Sequence, residues 1–200
     1  MSHHAQADHP VHELIAARWS PYAYSDRPVA VETLRSLFEA ARWAASSYNE
    51  QPWNYLVATR DDPANFEKAV SCLVEANQEW ARLAPVLAFG CANLKFARNG
   101  QPNGVALHDL GAASAQLSIE AVTHGLQVHQ MGGILPDRIR EVYQVPDGVQ
   151  PVAALAIGYP GHGQQLSDQV GSRDAVRRPR KALSEFVFSG RWGTTAAIVR

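Results

Sequence analysis

Arg18 and Ser20 stand two residues apart in Arg18-Trp19-Ser20, directly after a helical pattern. In extended chain, this places a guanidinium and a hydroxyl on one side, able to grip a phosphate through charge-assisted and neutral hydrogen bonds. Read alone, the same residues are an ordinary helix-terminal arginine with a capping serine. Ser46-Ser47-Tyr48-Asn49-Glu50-Gln51-Pro52-Trp53 places amides and hydroxyls at the end of a second helical pattern. Amide side chains match the alternating donors and acceptors on the edge of a heteroaromatic ring. They are also common turn formers. Met131-Gly132-Gly133 lets backbone N–H groups approach a flat ligand with no Cβ in the way, or simply turns the chain before Pro136. Side by side, these segments read as surfaces for a large, planar, phosphorylated cofactor.

Reactive side chains are not arranged for chemistry of their own. There is no nucleophile elbow, no Cys or Ser with a recognisable partner, and no metal-ligand spacing. His3 and His4 lie in a polar N-terminal stretch. His108, Asp109, His124 and His129 lie on or just beyond a long apolar helical pattern, where a satisfied core or interface histidine outweighs a general base. Phosphate-loop and dinucleotide-binding fingerprints are missing. No catalytic side chain and no metal site is therefore expected, and in an enzyme of this kind the reacting atoms belong to a bound cofactor.

The 200 residues suit one domain, or one protomer of an intertwined oligomer, and 46% apolar with 18% charged is a globular balance. A net charge of -1 argues against nucleic acid or an acidic membrane as the main partner. Basic residues nevertheless gather at the end. Arg173, Arg177, Arg178, Arg180, Lys181, Arg191 and Arg200 face only Asp174 and Glu185. The planar fork of arginine suits phosphate, and a solubilising tail is the equal alternative. Cys72 and Cys91 sit in apolar runs, as buried free thiols of a reducing compartment would. With no secretory signal and no membrane-length apolar run, the expectation is a soluble, cytoplasmic protein.

Periodicity places helices over residues 10–18, 31–45, 62–76, 78–83, 105–126 and 136–143, and strands over 54–59, 85–92, 127–130 and 152–159. The 85–92 run is apolar enough for a central strand, and the 105–126 helix for a core or a subunit interface. Residues 1–9 read as a disordered tail, 10–160 as one α+β domain and 161–200 as an irregular basic arm. Phe186, Val187, Phe188 and Trp192 suggest that the arm docks on a partner subunit.

The order of these pieces resembles the nitroreductase family of flavin-dependent oxidoreductases. Arg18-Trp19-Ser20, the helix over 34–44, Ser46 to Trp53, Gly125-Leu126, Met131-Gly132-Gly133 and Arg178-Pro179-Arg180-Lys181 follow the family pattern in sequence. The resemblance implies a three-layer α/β/α homodimer with a mixed, mostly antiparallel sheet and an extended C-terminal arm. It implies FMN at the subunit interface, with residues 10–160 as the FMN-binding domain. Arg18 and Ser20 would hold the phosphate and ribitol, with Trp19 beside them and Arg178 and Arg180 adding charge. Ser46, Ser47 and Asn49 would meet the isoalloxazine from the second subunit, and Gln51 would lie near the pyrimidine edge. Gly132 and Gly133 would line its face, Met131 would contribute backbone only, and Asn77 would contact the pyrimidine end.

Two departures stand out: Tyr22, counted among the cofactor-binding positions, replaces a common basic residue, and Ala45 replaces a proline before the first loop serine. The resemblance further implies ping-pong turnover. NAD(P)H delivers hydride to the flavin, and a nitroaromatic, quinone or similar small acceptor removes it. The alternatives are a specialised reductase of another kind on the same scaffold, or a flavin-binding protein without turnover.

Overall fold

The sheet is built from β1 (Trp53–Thr59), β2 (Val86–Asn93), β3 (Gln127–Met131) and β4 (Val149–Gly158) in the order β1-β2-β4-β3. The structure is a computed structural model and describes residues 3–162, 166–175 and 178–199; Arg177 and Arg200 of the basic arm lie outside them. β2 is buried from Val86 to Ala92, as its apolar run requires of an inner strand. All three strand pairings are antiparallel, so among the described residues the sheet is not mixed. The parallel component expected by resemblance has no pair of strands here to carry it.

Because side chains alternate along a strand, the sheet feeds two cores. Val86, Ala88, Leu155, Ile157 and Val128 face α2 (Val31–Arg42) and α5 (Ala106–Thr123), meeting Leu37, Ala41, Ala113, Leu117 and Ala121. Leu87, Phe89, Cys91, Ala154 and Ala156 face α3 (Pro63–Val70), α4 (Glu75–Ala81) and α6 (Pro136–Tyr143), meeting Phe66, Val70, Trp80 and Ile139. This is the expected α/β/α layering. Both cysteines are buried and unpaired. The inward face of α5 is buried, while Leu107, His108, Gly111 and Ala115 on its outer side are exposed, so His108 is not a core histidine within this chain.

Several boundaries differ from expectation for local reasons. α1 (Glu13–Ala17) begins later than residue 10, where the His12 ring accepts from the Leu14 amide at 3.2 Å. The helices expected over 62–76 and 78–83 are both present but shifted, the first ending at Val70 and the second starting at Glu75. The chain between them leaves the helix because Leu73, fully buried, pairs with Ile134, with bonds from Val74 N–H to Gly133 and from Leu135 N–H to Cys72. β4 starts three residues before the expected 152. The arm contains α7 (Asp168–Ala175), and it then folds on itself, with Phe188 bridged to Thr195. Residues 3–9, expected to be disordered, form no helix or strand. Even so, the Ala5 amide bonds the Ala16 carbonyl and the His3 ring stacks on Trp19 at 3.6 Å.

The Gly132-Gly133 turn divides into two different demands. A Cβ on Gly133 would overlap the Asn77 amide nitrogen and approach Val74 Cγ2 to 2.8 Å, whereas one on Gly132 meets nothing within 4 Å. Gly133→Ala should therefore cost about 1–3 kcal/mol by overpacking, and Gly132→Ala should be close to neutral. Chemical denaturation of the two variants checks the contrast; equal stabilities would refute it.

Candidate functional site

β3 ends the sheet, and the segment after α1 runs past it in extended conformation. Gln127 and His129, two apart and so on one face of β3, reach across to that segment. Gln127 Oε1 accepts from the Trp19 amide at 3.0 Å, and its Nε2 donates to the Ala17 carbonyl at 3.1 Å. His129 Nδ1 lies 2.8 Å from the Pro21 carbonyl, which only accepts, so Nδ1 carries the proton. Between these anchors, Arg18 donates to Ser20 Oγ at 3.3 Å. The two residues first singled out thus form one unit.

The C-terminal segment closes on this unit through Tyr22. The Tyr22 amide donates to Asp174 on α7 at 2.6 Å, and its hydroxyl accepts from Arg178 at 2.8 Å. Arg180 donates to the carbonyls of Arg178 and Pro179 at 3.1 and 3.3 Å. The result is a cavity of about 210 Å³ lined by Arg18, Trp19, Ser20 and Tyr22 from one end of the chain, and by Arg173, Asp174, Arg178 and Arg180 from the other. His3, His129 and Gln130 complete it. Four guanidiniums around one carboxylate make this a site for an anion. Burial holds His129 below its ordinary pKa of 6.5, with Arg178 and Arg18 adding to the effect and the Pro21 bond and Asp174 opposing it.

The second expected segment lies elsewhere. Residues 46–52 precede β1, at the opposite edge of the sheet from β3. Tyr48, Asn49 and Gln51 all take left-handed backbone, with φ of 53°, 55° and 53°. Each such non-glycine residue costs about 1–3 kcal/mol, so the surroundings must enforce the shape. The Gln51 amide donates to Ser46 Oγ at 3.0 Å, and the Ser47 amide to the Asp109 carboxylate at 3.0 Å. Glu50 accepts from the Ala97 amide at 2.6 Å, and the Arg98 guanidinium lies 4.1 Å above the Tyr48 ring.

Within one chain, Arg18, Trp19, Ser20, Tyr22, Arg178 and Arg180 are therefore brought together, while Ser46, Ser47, Asn49 and Gln51 form a separate rigid loop. Gly132 is exposed just beyond Gln130, Met131 is buried in the core, and only its backbone remains for a ligand. Asn77 is committed to structure: its Nδ2 donates to the Gly133 carbonyl and its Oδ1 accepts from Trp80. Gln127, Asp174 and Arg173 were not among the expected site residues, and His129 was read only as a satisfied histidine. Polar residues at alternate positions of a short strand were the available signal for Gln127 and His129. Among the described residues no His, Cys, Asp and Glu group could hold a metal.

The nitroreductase family model matches residues 15–159. The chain is similar to a solved structure described as an oxidoreductase containing FMN, with 35% identity, a TM-score of 0.89, and coverage of 95% of this chain and 96% of that one. A Bacillus subtilis NAD(P)H FMN reductase is 30% identical over 161 residues, which cover 69% of this chain and 61% of that protein. A 15.4 kDa protein of Mycolicibacterium smegmatis is 37% identical over 124 residues, 60% of this chain and 80% of its own length.

The lowered pKa of His129 has a pH consequence of definite sign. As pH falls through the ordinary histidine value of 6.5, the unfolded state takes up a proton that folded His129 still refuses, so stability drops until the folded value is passed. In His129→Asn, which keeps a donor toward Pro21, that part of the slope should vanish. Unfolding free energies measured between about pH 5 and 7.5 compare the two, and parallel curves would rule the effect out.

Proposed function

The chain belongs to the nitroreductase family, and on that premise we propose that it is an FMN-dependent oxidoreductase that draws on NAD(P)H. The carrying observation is the cationic cavity that joins the two chain ends. Guanidiniums of Arg18, Arg178 and Arg180 beside the Ser20 hydroxyl fit a phosphate monoester, which carries close to two negative charges and accepts several charge-assisted bonds. Arg18 and Ser20 hold the phosphate end, with Trp19 beside them. Arg178 and Arg180 add charge from the C-terminal segment, and Gly132 leaves open space where a ring can approach.

FMN supplies the hydride chemistry between a reduced nicotinamide and a small acceptor such as a nitroaromatic or a quinone. The chain's own residues bind and orient; they need no acid or base. The strained 46–51 loop lies across the sheet from the cavity, so its amides and hydroxyls serve the flavin of a second subunit, and the enzyme is a homodimer. The outer side of α5 and the arm supply apolar surface to cover. Phe186 is 56% exposed, Trp192 90% and Ile198 89%. We assign residues 10–160 to the FMN-binding domain and 161–200 to a C-terminal arm, whose Arg173, Asp174, Arg178 and Arg180 close on the same chain's cavity and whose exposed end, from about Phe186, packs on the partner. Buried free thiols suit a reducing compartment, and we place the enzyme in the cytoplasm. Among the described residues, no helix is long and apolar enough to cross a membrane.

Under anaerobic conditions NADPH or NADH should bleach the bound flavin, and persistent colour would leave a flavin-binding protein without turnover. Arg18→Ala and Arg180→Ala should each weaken FMN binding roughly ten- to hundredfold, the loss of a charge-assisted bond worth about 1.5–3 kcal/mol. Unchanged affinity in both would refute the phosphate site. Light scattering should return a dimer mass, and a monomer that still retains FMN would contradict the shared site.

A further inference from the structure

We propose that Gln127 is a positioning residue of the anion site, setting where the Arg18 guanidinium stands without touching a ligand itself. The inference rests on the flavin reading above and adds a residue that the family motifs do not mark. Gln127 is 7% exposed and does not line the cavity. Both polar atoms of its side chain are engaged, one by the Trp19 amide and one by the Ala17 carbonyl. Those are the backbone groups on either side of Arg18. The side-chain amide thus serves the 17–19 segment as one peptide unit of a neighbouring strand would, donating and accepting at once.

Three features make this a device for position. Arg18 follows a helix of only five residues, whose own bonds reach no further than the Arg18 amide. A short helix frays, so the backbone after it needs an outside template. Gln127 sits at the first position of β3, where pairing with Gly158 of β4 fixes it against the sheet. His129 repeats the contact two residues on, taking the Pro21 carbonyl just past Ser20. Arg18 and Ser20 are therefore each bracketed by a bond from one rigid strand. A preorganised guanidinium loses less freedom when it meets a phosphate, and that advantage appears in affinity for the phosphate alone.

Riboflavin lacks the phosphate and shares the rest of FMN, which gives a test specific to this role. Dissociation constants for FMN and riboflavin are measured by flavin fluorescence for wild type, Gln127→Met and the milder Gln127→Asn. Melting of each flavin-free protein confirms folding. Wild type should prefer FMN strongly. Both variants should lose about tenfold of that preference, with riboflavin affinity little changed. If either folded variant weakens both flavins equally, leaving the ratio intact, Gln127 is merely structural and the inference is overturned. A wild type that binds FMN no better than riboflavin overturns the phosphate reading and the inference with it.

Discussion

Repulsion among like charges is the constraint around which the site is organised. Arg18, Arg173, Arg178 and Arg180 line one small cavity, and fixed acceptors help to hold like charges there. Several of the partners seen are neutral. Ser20 accepts from Arg18, the Tyr22 hydroxyl from Arg178, and two backbone carbonyls from Arg180. Neutral acceptors orient a guanidinium without cancelling its charge, so the cavity stays attractive to an anion. The carboxylate of Asp174 takes the Tyr22 amide. Tyr22, which stands where a basic residue is common in the family, thus ties the two ends of the chain together.

The layered core makes this affordable in conformational terms. Two apolar cores on opposite faces hold the sheet rigid, and β3 carries that rigidity to its edge, where Gln127 and His129 project it onto the Arg18 segment. At the other edge, the buried Asp109 of α5 does the same for the 46–51 loop through the Ser47 amide. Each of these two segments is a loop in form but is templated by a regular element. This is what a site needs when it must position a cofactor rather than react with its substrate.

Local pattern was enough where local energetics decide. The apolar 85–92 run became the inner strand β2, and residues 136–143, opening on Pro136, became α6 with the expected bounds. It failed where a distant partner decides. Nothing within residues 62–83 reveals that Leu73 will pair with Ile134, so the break between the two helices is placed some residues too late. α7 is short and polar, and what marks it structurally is the Asp174 bond to a residue far along the chain. For the site, charged and hydroxyl residues announced themselves by type, but Gln127 did not. A buried glutamine carries no chemistry in the sequence, and only its two bonds give it a part.

The two walls of the cavity are 156 positions apart along the chain, between Tyr22 and Arg178. Closing a loop of that length costs chain entropy before the contact can repay it. On the ribosome the constraint is stricter, because Arg178 and Arg180 leave the exit tunnel after every strand has been made. The cavity therefore cannot trap an anion on a half-built chain. Its cationic lining is assembled only when the chain through Arg180 has been made, after all four strands.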